Sequence, residues 1–598
     1  MAGRLCLLFL CFVVPLVFST RLEDGFELPQ FLCAAIAVSF LLLLCRAADG
    51  ARAFKANWFL FLFVFAFWGT GFYSFAGLIR EADYYFPAQN FLWVLTPVLF
   101  LTPVGLYLGK RKLYSFLVLA GVLGSFYSLA QTVGLDAAGW NTHFGGRSFS
   151  TLGNPTFWAG QLLVILPLSV YLVLTSERNR AKYFWLGAVG LLTASLLATQ
   201  TRGAWLGFLG EVVVLVVLTR RRGQVWKWMM LGMIAFLFVL LAVPSLNMRA
   251  LSLFKIHDRD AQGRYFLWKA AVSQWKEKKW MGQGPGGYAY HFTRTQAQLS
   301  ELEPFRPYWT ATHAHEEYLE LLAERGIVGA LLALILLGIL VGRRLKKDES
   351  SVFSFGTSEL AVLSGIGIHA LFHFPFSVVP TACSLALLFN PSWDQKAVPS
   401  LKEKPLWNEL RLFWGIGLFV FCGLGMKLLT QNIKLHQAID LTSGQNYEEA
   451  LKLLDGDSSP RLFHYLDPRV LKQKALVLAA LGREAEAVAL WEEVVHAYPY
   501  DADGYAMLCM FYGKQPDWER AMKNGGMALE ISPCHEQALN NLAMVYYLEG
   551  RKKEALPLLE RLEQAQRAWG REDKAAETRQ KIKALESIKG ASKKQGLP

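Results

Sequence analysis

The residues of this 598-residue chain best suited to chemistry stand in one stretch, His313-Ala-His-Glu-Glu-Tyr-Leu-Glu-Leu-Leu-Ala-Glu-Arg-Gly-Ile-Val-Gly329. Two histidines among carboxylates open it, and a wholly apolar run, Ala330 to Val341, follows. Charge of this density beside a membrane span is costly unless it sits in protein or lines an aqueous cavity. A titratable cluster where membrane meets water suits a substrate that is part lipid and part solute. An imidazole there can contact an anion or assist proton removal. His-x-His is a weak metal signal, and no Cys/His cluster accompanies it, so no metal or other cofactor is expected. Glu316 and Glu317 also fit a plain role, as first-turn acids that complement a helix dipole.

Two arginines extend the candidate set. Arg202, in Thr199-Gln-Thr-Arg-Gly203, falls in a very short outer loop, where charge bias disfavours it. A specific anionic partner explains it, and the bland alternative is an arginine snorkelling to a lipid headgroup. The planar guanidinium fork matches a phosphate through two parallel hydrogen bonds. Arg264 opens a segment with apolar residues at 267, 268, 271, 272 and 275, the spacing of an amphipathic helix. The Gly282-Gln-Gly-Pro-Gly-Gly-Tyr288 run lacks the Lys-Ser/Thr ending of a nucleotide loop, so it reads as a tight turn. Between 246 and 312 there are ten Lys/Arg against five Asp/Glu, a balance suited to pyrophosphate or anionic lipid. His369 and His373, in or at the end of an apolar span, read as structural hydrogen-bonding residues.

The elements that must position these groups are membrane helices. Hydrophobic residues make up 53% of the chain, and windows long enough to span fall near 5–20, 30–45, 57–79, 89–109, 113–134, 154–175, 182–199, 203–219, 225–245, 317–342, 357–373, 374–390 and 409–430. The expected fold is all-α: a polytopic transmembrane bundle of about thirteen spans over 1–430, with a long loop at 245–316. One set of alternate short loops carries twenty Lys/Arg and the opposite set only Arg21, Arg80, Arg147 and Arg202. Positive charge stays inside, which puts the long loop and the C-terminal tail outside. The first window reads as an uncleaved span, with a cleaved signal peptide as the alternative. The formal charge of +13 is mostly this loop bias and does not argue for nucleic acid. Six of the eight cysteines, at 6, 11, 33, 45, 383 and 422, lie in or beside apolar spans and read as small hydrophobes.

Beyond residue 430 the composition turns polar and repetitive. Ala487, Ala521 and Ala555 recur every 34 residues, as do Pro499 and Pro533. This resembles the tetratricopeptide helix-turn-helix repeat over 431–580, with an imperfect unit near Asn446-Tyr-Glu-Glu-Ala450 and a basic tail at 581–598. Such stacks bind protein partners or serve as packing, and Cys509 sits at a small-residue packing position.

Three segments in order, Phe149-Ser-Thr-Leu-Gly-Asn-Pro155, Thr201-Arg-Gly-Ala-Trp205 and the His313 to Gly329 stretch, together with Arg264 to Trp268 and the glycine turn, resemble the O-antigen ligase/polymerase superfamily over about 30–390. The resemblance implies metal-independent, inverting glycosyl transfer from an undecaprenyl-pyrophosphate-linked glycan at the outer face of the bacterial cytoplasmic (inner) membrane. It makes His315, Arg202 and Arg264 catalytic, with both arginines on the donor pyrophosphate. Asn154, His313 and Glu316 complete the expected substrate-binding set. Glu316 stands where the family usually has Asn. The acceptor, whether lipid A-core, another glycan or a protein, is left open, as is ligase against polymerase or protein O-oligosaccharyltransferase. A non-catalytic repeat scaffold or a lipid-glycan transporter is the alternative of another class.

Overall fold

The computed structural model describes residues 2–19, 27–44, 64, 66–67, 69, 96, 99, 102, 104, 108–136, 144–219, 224–252, 259–299, 310–345, 353–394, 423, 427, 429–455 and 468–594. The described residues are helical, with no strand among them. They divide into two compact units: 1–75 with 88–285 and 313–433, and 76–87 with 286–312 and 434–598.

The first unit begins with α1 (Ala2–Leu8), α2 (Glu27–Leu44), α3 (Lys110–Thr132), α4 (Pro155–Leu174), α5 (Asn179–Ala198), α6 (Arg202–Thr219), α7 (Val225–Ala242), α8 (Pro244–Leu251) and α9 (Arg259–Glu277). α10 (Gly287–Leu299) counts with the second unit, and α11 (Glu317–Leu345), α12 (Phe355–Ala370) and α13 (Val379–Leu388) return to the first. Among the described residues six helices are long and apolar enough to cross a membrane: α3, α4, α5, α6, α7 and α11. The windows at 57–79, 89–109 and 409–430 lie outside the described residues apart from isolated positions. Those at 357–373 and 374–390 appear as the shorter α12 and α13, separated by a turn at 371–374.

α4 is buried almost all round, as expected of a helix apolar on every face. Its start is fixed locally. The Asn154 side chain accepts from the Thr156 N–H at 2.9 Å, and Pro155 fills the first helical position. Where α6 meets α12, glycines let the backbones close up: a Cβ on Gly207 would lie 2.6 Å from the Gly365 carbonyl oxygen. The ends of α3, α11 and α12 that carry the basic loops are pinned by buried Glu359. It pairs with Arg344 and Lys110 and accepts from the Tyr114 hydroxyl at 2.8 Å. Removing one member would leave a buried charge uncompensated.

α9 corrects one detail of the periodicity. The buried stripe is Phe266, Leu267, Ala270, Ala271 and Gln274, one position round from the expected 267, 268, 271, 272, 275. Two rows at i, i+4 (266 with 270, 267 with 271) each pair a bulky side chain with an alanine, which brings the packing face inward there.

The second unit is the repeat. α14 (Tyr447–Asp455), α15 (Pro468–Ala480), α16 (Glu484–Ala497), α17 (Ala502–Lys514), α18 (Trp518–Ile531), α19 (Glu536–Leu548), α20 (Lys552–Ala568) and α21 (Glu572–Lys594) pack in consecutive pairs. The alanines at the 34-residue period, Ala487, Ala521 and Ala555, are all fully buried, and Ala475, Cys509 and Ala543 repeat the pattern on the partner helices. Burial holds the Cys509 thiol up at about 12, so it is a packing residue rather than a reactive one. α10, from the long loop, packs against α18 inside this same unit.

Candidate active site

The histidine segment is built from its helix backward. α11 starts where Glu316 accepts the Leu319 N–H at 2.5 Å, a cap on the first turn. Glu320, one turn in, reaches back over the segment. Its carboxylate accepts from His313 Nδ1 at 2.7 Å and from the Ala314 N–H at 2.8 Å. His313 also lies flat on Phe374, ring centroids 3.9 Å apart. Between Ala314 and the cap, His315 takes a left-handed backbone, φ 54°, which costs a non-glycine residue about 1 kcal/mol or more.

The turn at Gly326 separates this first stretch of helix from the span. The expected continuous span at 317–342 is instead broken there, with φ 63° and ψ −168°. The N–H groups of Ile327 and Val328 donate to the carbonyls of Lys279 and Trp280 at 2.9 and 3.1 Å. The carbonyls of Ala323 and Glu324, released from the helix ladder, accept from the N–H groups of Gln283 and Gly284 at 2.8 and 2.9 Å. The glycine-rich turn is therefore a backbone brace and not a phosphate cradle. A Cβ on Gly326 would overlap the Trp280 carbonyl, and one on Gly282 would overlap the peptide of Glu324 and Arg325.

The second and third motif segments, and Phe157 just past the first, meet around the turn at 371–374. Phe372 lies against Gly203, where a Cβ would come within 3.1 Å. His373 lies 6.2 Å from His315 and 4.8 Å from His369, centroid to centroid. Phe374 stacks on His313 and meets His315 and Phe157 edge-on at 5.1 and 5.4 Å. His369 Nε2 donates to the Thr156 carbonyl at 3.3 Å, the structural role expected of it. In the sequence, Phe-His-Phe-Pro reads as the break between two apolar windows and His373 as a structural hydrogen-bonding residue. A non-glycine residue at positive φ stands in or directly before each of the three motif segments: Ser150, Gln200 and His315. Strain of this kind gathers at functional sites.

Of the expected site residues, Arg264 is brought to the histidines. Burial first, then the Arg264 charge and His313, hold the His315 imidazole down at about 4 against an opposing pull from Glu320. Arg202, the first residue of α6, donates from Nη1 to Ser252 Oγ at 2.8 Å. A cation at a helix N-terminus opposes the dipole, so helix stability does not account for it. Asn154 and Glu316 both cap helices beside the site. Burial raises the Glu316 carboxyl while the Leu319 and Tyr318 N–H groups oppose that. No group of three or more His, Cys, Asp or Glu is arranged for a metal among the described residues.

Residues 187–334 match the family described as O-Antigen ligase, a stretch that holds Arg202, Arg264, His313 and His315. The match supports a membrane ligase or polymerase of the glycosyltransferase type. Asn154 and the turn at 371–374 lie outside it. No curated protein matches the chain. Among solved structures, MamA of AMB-1 is 15% identical and the alignment covers 26% of this chain and 90% of that one, at a TM-score of 0.20. MamA of MSR-1 is 15% identical over 26% and 94%, at 0.19. The APC/C hetero-tetramer Cut9-Hcn1 is 13% identical over 83% and 76%, at 0.24. The tetratricopeptide character of the tail rests on its own period and its buried alanines.

Proposed function

We propose that the chain, which carries an O-antigen ligase domain at residues 187–334, transfers a glycan from undecaprenyl pyrophosphate to an acceptor at the outer face of the bacterial inner membrane. The observation that carries this reading is the convergence of His313, His315 and the Arg264 charge with the second motif segment and Phe157 on one turn. Arg264 and Arg202 hold the pyrophosphate and stabilise the charge that develops as it leaves. The acceptor hydroxyl attacks the anomeric carbon from the opposite face, the bond to the pyrophosphate oxygen breaks, and the configuration inverts. The hydroxyl proton passes to His315, or His315 positions the acceptor while the proton goes to solvent.

The electrostatics favour an ordered sequence. Burial and then the Arg264 charge make His315 a weak base in the empty site. A bound pyrophosphate offsets that charge and strengthens the base only once the donor is seated. His313, Asn154 and Glu316 form the walls of the site, and no metal is needed because the arginines meet the leaving group's charge. The packing of loop helix α10 on α18 supports one side for loop and tail, since touching segments share a side of the bilayer.

A polymerase of lipid-linked repeats, or a protein O-oligosaccharyltransferase, would use the same groups. A scaffold or transporter would need neither the strained His315 nor the arginines. The test is transfer from a polyprenyl-pyrophosphate glycan by purified protein, with and without chelator. His315→Ala, Arg202→Lys and Arg264→Lys should each lose activity while folding normally, because a point charge does not replace a bidentate fork. Full activity in His315→Ala would overturn the assignment, and loss on chelation would overturn its metal independence.

A further inference from the structure

We propose that Arg147 and His373 form a second phosphate-binding subsite next to the arginines proposed above for the pyrophosphate, so that its two halves are held by separate groups. The inference deepens the function proposed above and rests on it.

Arg147 stands in one of the short outer loops, which together carry only Arg21, Arg80, Arg147 and Arg202. Its fork is oriented by the second motif: Nε donates to the Thr199 carbonyl at 2.9 Å and Nη2 to Thr201 Oγ1 at 3.1 Å. Thr201 Oγ1 in turn donates to the Pro155 carbonyl at 3.3 Å, and the neighbouring Thr156 carbonyl receives His369 Nε2. His369 adjoins His373, and His373 adjoins His315. A continuous path of contacts therefore runs from Arg147 to the proposed base, and Arg147 and Arg264 both act electrostatically on His373.

His373 is the odd member of this path. It is 6% exposed, and its Nδ1 has no hydrogen-bond partner among the described residues. A buried imidazole nitrogen without a partner is costly to keep. With two arginine charges acting on it, it matches an anion that brings its own acceptor oxygens. A neutral imidazole with its proton on Nδ1 donates to a phosphate oxygen there. The Arg147 and Arg264 charges that both act on His373 suit a dianionic group with two linked phosphorus centres better than a lone carboxylate.

The same chemistry would fit one phosphate of a lipid headgroup, so the experiment separates the two sources. Binding of inorganic pyrophosphate to the full-length protein is measured by calorimetry in nanodiscs of zwitterionic lipid and again with anionic lipid. Arg147→Ala and His373→Ala should each weaken pyrophosphate binding about tenfold or more in both lipids. His373→Gln, which keeps a donor, should recover most of it. Wild-type binding in both alanine variants overturns the subsite. So does a loss that appears only with anionic lipid, which assigns the groups to a headgroup. Should Arg147→Ala fail to fold, His373→Ala decides alone, because it removes no described hydrogen bond. A protein that binds pyrophosphate through these residues yet transfers no glycan refutes the proposed function and leaves the subsite standing.

Discussion

Glu320 holds His313 through one carboxylate oxygen and the Ala314 backbone through the other. One side chain thus sets the ring orientation of His313 and the path of the chain into the strained His315. Glu320→Gln keeps the size and one acceptor but weakens the hold on the imidazole. We expect transfer to fall about tenfold to a hundredfold with little change in melting temperature, since charged hydrogen bonds contribute about 1.5–3 kcal/mol. Glu316→Asn should be tolerated, because Asn caps a helix as well as Glu316 does. A Glu320→Gln variant as active as wild type would show that His313 needs no orientation.

The backbone exchange at Gly326 gives the sharpest stability prediction. Gly326→Ala puts a side chain into the Trp280 carbonyl at a positive φ and should destabilise by on the order of 3 kcal/mol or abolish folding. Gly338→Ala, further along the same helix with nothing within 4 Å of its Cβ, should be neutral or slightly stabilising. Thermal unfolding of the two in one detergent makes the comparison. Equal melting points would mean that the brace does not exist.

His315 sets a pH window. Its imidazole sits near 4 in the fold against an ordinary 6.5, so between those values the unfolded chain binds more protons at this residue. Its contribution to stability is present above pH 6.5 and is lost as pH falls toward 4. Removing the secondary cause with Arg264→Gln should raise the value while burial keeps it below 6.5. Imidazole titration by NMR on full-length protein reads both. A wild-type midpoint of 6.5 or above would remove the argument that donor binding strengthens the base.

Loop and tail should share a side of the membrane. A reporter active only outside the cytoplasm, fused after residue 598, should be active. A cysteine pair placed on α10 and α18 should cross-link in intact cells. A stable but inactive fusion would reverse the orientation drawn from the basic loops.

The sequence by itself determined the class of the fold and singled out the candidate reactive groups. Apolar length, loop charge and the 34-residue alanine period are local or one-dimensional signals. Each is written in consecutive residues whatever the helices later touch. The same holds for His313, His315, Arg202 and Arg264, whose residue types are unusual beside apolar spans. What only the tertiary structure decided is which of these groups meet, and through what. The Gly326 break cannot be read from Glu-Arg-Gly-Ile-Val, because its cause is backbone 40 and more residues upstream at 279–284. The buried face of α9 turned by one position because its alanines admit a close neighbour. The turn at 371–374 became the centre of the site although its residues span four positions of an interrupted apolar run. The rings of His313 and Phe157 that meet Phe374 lie 61 and 217 positions before it. Pairings at such separations depend on how the helices pack, and no local pattern encodes them.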